Sequence, residues 1–213
     1  DFQADKVWIK VRSIVDNNYI QDSTRGFGFS KSISTNSTGL EGANGGAPTT
    51  TKVDSVSSSN MVVTGADFTY SSATYVAWLW RANGGTTVTN TQGSEDSTVQ
   101  TDPSGHFSIV KWTGTSDSWG NAITVGHGLN AAPDLIIGKK YLGNADEWQI
   151  FFSDYGDYSI GGSNAASNSL VLNNDSALYT NQSYKGYGGV MPTSTVFTVD
   201  GNNLNGSGDT VLA

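Results

Sequence analysis

Residues 74–80 read Thr-Tyr-Val-Ala-Trp-Leu-Trp and form the strongest strand signal in the chain. β-branched and aromatic side chains favour extended backbone, and an uninterrupted apolar run of this length is typical of a strand covered on both faces. We therefore expect a central strand here. No segment has the apolar period of an amphipathic helix, so the sequence predicts an all-β fold.

Other apolar runs of strand length lie on both sides of this segment. They occupy residues 6–11, 19–22, 61–63, 106–112, 122–125, 133–137, 148–152, 169–172 and 196–199. Residues 106–112 alternate apolar and polar side chains and are followed by a turn-rich stretch, so they predict an antiparallel pair with 122–125. Residues 83–104 are polar and rich in Gly, Ser and Thr, which indicates a linker.

An internal repeat organises these strands. Residues 4–10 (Ala-Asp-Lys-Val-Trp-Ile-Lys) align with 133–139 (Pro-Asp-Leu-Ile-Ile-Gly-Lys), and residues 71–77 align with 207–213. Such a repeat determines the expected architecture, because each copy is expected to form one structural unit. The sequence thus predicts two tandem β-sandwich-like modules of jelly-roll or lectin type. They span residues 1–82 and 105–213, and the linker at 83–104 joins them.

The first module is incomplete at its N-terminus in this interpretation. The second copy has the predicted pair at 106–125 ahead of its Pro-Asp strand, whereas the chain begins three residues before Ala4. A sheet that lacks strands exposes unpaired backbone and apolar surface, which a neighbouring chain can cover by adding a strand. We therefore expect self-association or contact with neighbouring subunits by strand addition.

Composition excludes several classes of partner. The net charge is −8 and no run of Lys or Arg occurs, so the basic surface that nucleic-acid binding requires is missing. No apolar stretch approaches the ~20 residues of a membrane-spanning helix. With no Cys, the sequence has neither a disulfide framework nor a thiolate metal site.

The sequence offers no positive sign of catalysis, and we expect no enzyme activity. It has only two histidines, and His127 lies between two glycines, where its imidazole can hydrogen-bond its own backbone and fix a turn. Paired carboxylates such as Asp146-Glu147 lie in turn-rich sequence, where Asp is expected for backbone hydrogen bonding. We expect no resident cofactor. Calcium is the one metal left open, because oxygen ligands are abundant between Asp200 and Asp209.

Aromatic side chains in loops are candidates for glycan binding. Tyr and Trp rings stack on sugar faces while neighbouring amides bind hydroxyl groups. The candidates are Trp119, Tyr179, Tyr184 and Tyr187, the last three within or beside the stretch Tyr-Thr-Asn-Gln-Ser-Tyr-Lys-Gly-Tyr. The alternative is that these rings pack beneath long loops or against another subunit.

Several motifs resemble a β-rich module of tail-fibre and other virion-surface proteins of marine phages, especially cyanophages. The motifs are Phe-Ser-Ile-Val-Lys-Trp-Thr-Gly at 107–114, Val-Gly-His-Gly-Leu at 125–129, Pro-Asp-Leu-Ile-Ile at 133–137, Ser-Gly-Asp-Thr at 207–210 and Tyr-Val-Ala-Trp-Leu-Trp-Arg-Ala at 75–82. The resemblance implies a structural or adsorption role and brings no catalytic residues.

We therefore expect a structural virion-surface or tail-fibre protein that takes part in host-surface attachment. Its expected location is the virion surface or another extracellular setting, with host glycans as a further possible partner. Two alternatives stay open. One is a subunit of an extracellular filament or adhesin, and the other is a carbohydrate-binding module.

Overall fold

The computed structural model describes residues 2–28, 30–42, 52–154, 168–180 and 186–213. Its strands are β1 (Lys6–Val11), β2 (Asn18–Asp22), β3 (Ile33–Ser34), β4 (Lys52–Val56), β5 (Met61–Thr64), β6 (Tyr75–Trp80), β7 (Val88–Asn90), β8 (Ser97–Thr101), β9 (Ser108–Thr113), β10 (Ile123–Gly126), β11 (Leu135–Leu142), β12 (Gln149–Phe152), β13 (Leu170–Val171), β14 (Val196–Val199) and β15 (Thr210–Leu212). The helices are a 3₁₀ turn at Ala66–Phe68 and α1 (Gly201–Asn205).

The strands form two larger and two smaller antiparallel sheets. The four-stranded sheet has the order β3-β2-β1-β6, and the seven-stranded sheet has the order β13-β12-β11-β15-β9-β8-β7. β4 pairs with β5, and β10 pairs with β14. The all-β, sandwich-like fold that the sequence predicts is confirmed. No helix in the described residues is long and apolar enough to cross a lipid bilayer.

The two halves of the chain share one strand order. β3-β2-β1-β6 in the first half corresponds to β13-β12-β11-β15 in the second. In each half a short helical turn precedes the last of these strands, and it buries one apolar side chain, Phe68 in the first half and Leu204 in the second. In the second half, however, β9 and β8 continue the sheet beyond β15, whereas β6 ends its sheet.

The halves pack on a common apolar cluster. Ile20 and Ile33 of the first half and Tyr141, Trp148 and Leu212 of the second are buried together in it. The Trp148 indole Nε1–H also donates to the Ser34 carbonyl oxygen at 2.9 Å. Each half has a separate cluster of its own. The shared cluster therefore fixes one half against the other.

The expectation of a linker at 83–104 is wrong. Residues 88–90 and 97–101 are β7 and β8, and β8 pairs with β9 across four residue pairs. Val99 is buried in the core of the second half, and Gln100 is buried as well. Thr and Val have high β propensity even in polar sequence, so the short alternating runs here form strands rather than a flexible connection.

Two further expectations about pairing need correction. The strand at 75–80 is not central, because β6 pairs only with β1 among the described strands and Trp78 and Leu79 are partly exposed. The segments 106–112 and 122–125 do not pair with each other either. β9 lies between β8 and β15, while β10 pairs with β14. Strand patterns give the elements, but the neighbours of each strand depend on residues far away in the sequence.

Candidate functional site

The open edge of β6 is the main candidate site. β6 pairs with β1 over six residue pairs, from Tyr75 opposite Val11 to Trp80 opposite Lys6. No described strand lies on its other side. The other edge strands of the two larger sheets are β3, β13 and β7, with two, two and three residues. Because short edges limit unwanted pairing, the six-residue edge of β6 is the exception.

The direction of the backbone groups along β6 follows from one hydrogen bond. The Arg12 N–H donates to the Thr74 carbonyl oxygen at 2.7 Å. Hydrogen-bonding direction alternates along an antiparallel strand, so the groups of Tyr75, Ala77 and Leu79 face the open edge. The repeat supports this direction, because Ala213, which aligns with Ala77, directs its backbone groups toward β9 and away from β11.

Ala213 has a backbone partner that its counterpart Ala77 lacks among the described residues. It exchanges two backbone hydrogen bonds with Val110 of β9, at 2.8 and 2.9 Å. β9 also contributes side chains to the clusters that bury the neighbouring residues: Val110 and Trp112 lie in the same cluster as Val211, and Ile109 lies in the same cluster as Leu212. The described part of the first half has no counterpart of β9. Among the described strands, the outer edge of β6 is therefore unpaired, whereas the corresponding edge of β15 pairs with β9.

Apolar side chains on β6 are partly exposed to solvent. Trp78 is 45% exposed and Leu79 is 43% exposed. The Trp78 ring lies against Trp8 of β1, with ring centroids 5.4 Å apart. An edge with exposed apolar side chains and unpaired backbone groups favours strand addition.

Trp119 is exposed, unlike the other members of the predicted glycan-binding set that the structure describes. Its side chain is 69% exposed in the connection between β9 and β10. Hydrogen bonds to α1 and its N-terminal cap hold this connection: the next residue, Gly120, donates its N–H to the Asp200 carboxylate at 2.9 Å, and Asn205 donates to the Asn121 carbonyl oxygen at 2.9 Å. A ring presented on a fixed loop can serve as a stacking platform for a sugar.

The three tyrosines of the set differ in their surroundings. Tyr187 is 2% exposed within the core of the second half, where its hydroxyl donates to the Gln149 carbonyl oxygen at 3.1 Å. It has no face for a ligand, so its assignment to a glycan surface is wrong. Tyr179 is half-buried and pairs through its backbone with Ser169. Tyr184 lies outside the described residues.

His127 fixes a turn, as the sequence predicts. The Leu129 N–H donates to its Nδ1 at 3.1 Å, so Nε2 carries the proton and donates to the Thr193 carbonyl oxygen at 3.2 Å. The imidazole stacks near Phe197 and is buried. Burial lowers the pKa of His127 below its ordinary value of 6.5, and the Thr193 carbonyl opposes this shift only in part.

We expect the lowered pKa of His127 to make folding sensitive to mild acid. The unfolded chain binds a proton near pH 6.5, whereas the folded protein resists it, so the free energy of unfolding should fall as the pH drops below about 6.5, by at most about 1.4 kcal/mol per pH unit. Urea titrations between pH 7.5 and 5.5, compared with His127→Gln, measure this component. An identical pH slope in the variant would contradict the assignment.

The carboxylates near α1 have structural partners. Asp200 caps the helix by accepting from the Gly201 N–H at 2.7 Å. Asp209 pairs with the buried Lys140 ammonium group at 2.9 Å. Within the described ranges, no three Asp, Glu or His side chains lie close enough together to hold a metal ion.

The edge of β6 was missed as a site because its sequence indicates a buried strand. The useful signal was the repeat, because the described part of the first half has no counterpart of β9, the strand that pairs with β15.

Compared with known proteins, the chain has no significant match among curated proteins or among solved structures. Residues 1–213 do match the family described as a domain of unknown function, DUF7483, and the chain therefore belongs to that family.

Proposed function

We propose that this protein is a structural subunit that assembles by strand addition along the open edge of β6. The observation that carries this proposal is the six-residue edge on which Ala77 and Leu79 direct backbone groups outward while Trp78 and Leu79 expose apolar surface. The occupant is a strand of a neighbouring subunit, and the proposal assigns no catalytic residues.

The setting we propose is a virion surface or tail fibre, with host attachment as its use. The motifs shared with marine-phage fibre modules support this setting, and the net charge of −8 and polar Ser-, Thr- and Asn-rich loops suit an exposed particle surface. An extracellular filament would use the same edge in the same way. Electron micrographs of the assembly distinguish the two, since a filament has helical symmetry and a fibre has rotational symmetry.

Blocking the β6 edge should abolish association. Ala77→Pro removes an N–H that points away from β1, so the ladder inside the sheet keeps its bonds. Leu79→Lys places a charge on the edge, a common natural block to strand pairing. In sedimentation velocity at micromolar concentration, we expect the wild-type chain to associate and both variants to sediment as monomers.

Val15→Lys is the matched control for charge. Val15 is fully exposed in the loop between β1 and β2 and is not part of β6, so this variant adds the same charge and should associate like wild type. A wild-type chain that stays a monodisperse monomer across the same range would contradict the proposal, as would association that both edge variants retain.

Glycan binding by Trp119 is a second candidate function, favoured by its 69% exposure on a hydrogen-bonded loop. Stacking on an aromatic ring contributes about 0.5–1.5 kcal/mol beyond buried area, so Trp119→Ala should weaken glycan binding by about two- to tenfold. A glycan array followed by calorimetry measures this. Val190→Ala, which removes another exposed apolar side chain, is the control. Equal affinity of Trp119→Ala and wild type would exclude this ring.

A further inference from the structure

A buried lysine of the second half lies beside a side-chain amide and a carboxylate. The Lys140 side chain is 0% exposed, and its ammonium group donates to the Asn202 Oδ1 at 2.7 Å. The Asp209 Oδ2 lies 2.9 Å from the same nitrogen, and the Asp209 side chain is 2% exposed. The Asp146 carboxylate is farther away, at 3.4 Å, and less buried. We call Lys140, Asn202 and Asp209 the lysine cluster.

Three elements of the second half bring the lysine cluster together. Lys140 lies on β11, Asn202 lies in the first turn of α1, and Asp209 directly precedes β15, which pairs with β11. Gly206 leaves the space in which they meet. A Cβ on Gly206 would lie 2.8 Å from the Asn202 Oδ1 and 3.0 Å from the Lys140 Nζ, and it would overlap the Asp209 carboxylate. The amine, the amide and the carboxylate therefore converge on one point.

The repeat indicates that the fold does not require this cluster. In the first half, the positions aligned with the cluster hold Val11, Ala66 and Ala73, which are all apolar. That half nevertheless has the corresponding strand order. A buried ion pair contributes little net stability compared with apolar packing, because both charges lose their hydration. The presence of the lysine cluster in one copy only points to chemistry rather than to architecture.

We propose that Lys140 and Asn202 join in an intramolecular isopeptide bond, with Asp209 as the acid–base group. The hydrogen bond of 2.7 Å places the Lys140 Nζ within about 4 Å of the Asn202 Cγ, since a carbonyl bond is only about 1.2 Å long. Holding an amine and an amide together in this way turns a bimolecular reaction into an intramolecular one, which raises its rate by several orders of magnitude.

Asp209 is placed to move the proton. The Asn144 backbone N–H and side-chain amide donate to its Oδ1 at 2.8 and 3.2 Å, so its Oδ2 is left toward Lys140. This Oδ2 accepts no hydrogen bond from any other described group. Separated charges are costly in a buried site, so proton transfer from the ammonium group to the carboxylate, which leaves two neutral groups, is easier there than in water. The transfer leaves a neutral amine beside the Asn202 carbonyl group.

The reaction needs no co-reactant. The lone pair of the Lys140 Nζ attacks the Asn202 Cγ to form the Nζ–Cγ bond, and the Cγ–Nδ2 bond then breaks. Of the three ammonium protons, one stays on the new amide and two pass to the departing nitrogen, one of them by way of Asp209, which ends as a carboxylate again. The nitrogen leaves as ammonium, and because Asn202 is exposed, it leaves into solvent.

The neighbouring Lys139 has no such partner. It is equally buried, but its ammonium group donates to the backbone carbonyl oxygens of Thr38 at 2.9 Å and Asp146 at 2.7 Å. A backbone carbonyl has no ammonia to release, so Lys139 should keep its free amine. The bond at Lys140 would link β11 to α1 and close residues 140–202 into a ring. It forms within one chain, so it does not depend on association along β6.

Intact mass spectrometry of the denatured full chain tests the proposal. We expect the wild-type chain to be about 17 Da lighter than its sequence requires, which is the mass of one ammonia molecule. Asn202→Ala and Asp209→Asn should each have the full sequence mass, because they remove the amide and the acid–base group. Asn203→Ala, which removes the next amide along α1, is the matched control and should keep the mass loss.

A tryptic digest locates the bond. Tandem mass spectrometry should find the peptide that contains Asn202 joined to the peptide that contains Lys140, with the chain uncut after Lys140. An asparagine that cyclises onto its own backbone, as at Asn205-Gly206, loses the same mass. That reaction joins no peptides and would persist in Asn202→Ala, so the digest and the variant distinguish it from the proposed bond.

A wild-type chain with its full sequence mass overturns the proposal, whether or not any variant folds. So does a mass loss that Asn202→Ala retains. Circular dichroism verifies that the variants fold, and Asp209→Ser replaces Asp209→Asn if that variant does not. A joined peptide in the folded Asp209 variant would overturn the role given to this carboxylate.

Discussion

Trp148→Ala should lower the free energy of unfolding by about 3–5 kcal/mol, the largest effect we expect from a single substitution. Trp148 is 1% exposed in the cluster shared by the two halves, and its indole N–H donates to the Ser34 carbonyl oxygen. The substitution creates a cavity and leaves that buried carbonyl without its donor. Urea denaturation followed by circular dichroism measures the change.

The same experiment tests whether the halves unfold together. Because Trp148 lies between them, we expect one transition that moves to lower urea concentration with little change in slope. Trp119→Ala is the control, since that exposed side chain should change stability by no more than about 0.5 kcal/mol. Two separate transitions, with only one of them affected by Trp148→Ala, would show that the halves are independent domains.

The local sequence pattern predicted the positions of the strands more accurately than which strands pair with each other. The first run, Lys6–Val11, and the last, Val196–Val199, have the same bounds in the sequence interpretation and in the structure. The run at 75–80 was also correctly read as a strand, but its position in the sheet was wrong. An apolar run indicates burial, yet such a run can also form an edge strand whose side chains are partly exposed, as in β6.

The sequence pattern did not predict the polar strands or the very short helix. β7 and β8 are built from Thr, Ser, Val, Asn and Gln. Most of these residues are polar, which suggested a loop, although Thr and Val have high β propensity. α1 has only five residues, Gly201–Asn205, and is too short to show a helical period. Its existence depends on the Asp200 cap and on packing of Leu204 in the core.

The candidate site was predictable only in part. Aromatic composition indicated either glycan contact or packing, and the structure assigns the two outcomes to different residues: Tyr187 packs in the core while Trp119 faces solvent. Residue type alone cannot make this distinction, because it depends on where the loop lies. The repeat was more informative, since it predicted a similar strand arrangement in the two halves and matched Asp5 with Asp134.

Asp5→Ala should lower the free energy of unfolding by about 3 kcal/mol. The Asp5 side chain is buried, and its carboxylate accepts hydrogen bonds from the N–H groups of Ala82, Gly84 and Gly85 and from the Ser23 hydroxyl. These bonds tie the end of β6 to β1 and to the turn after β2. Without the carboxylate, the buried Ala82 N–H loses its acceptor, and the connection to β7 loses its anchor.

Asp134→Ala is the matched control, because the repeat aligns Asp134 with Asp5 but gives it a single side-chain hydrogen bond, from Ser153, at the surface. Its loss should change stability by no more than about 0.5 kcal/mol in the chain alone. The difference between the variants, measured by urea denaturation, reports how much the Asp5 hydrogen bonds stabilise the connection from β6 to β7. Equal losses would mean that the Asp5 hydrogen bonds do not stabilise this connection.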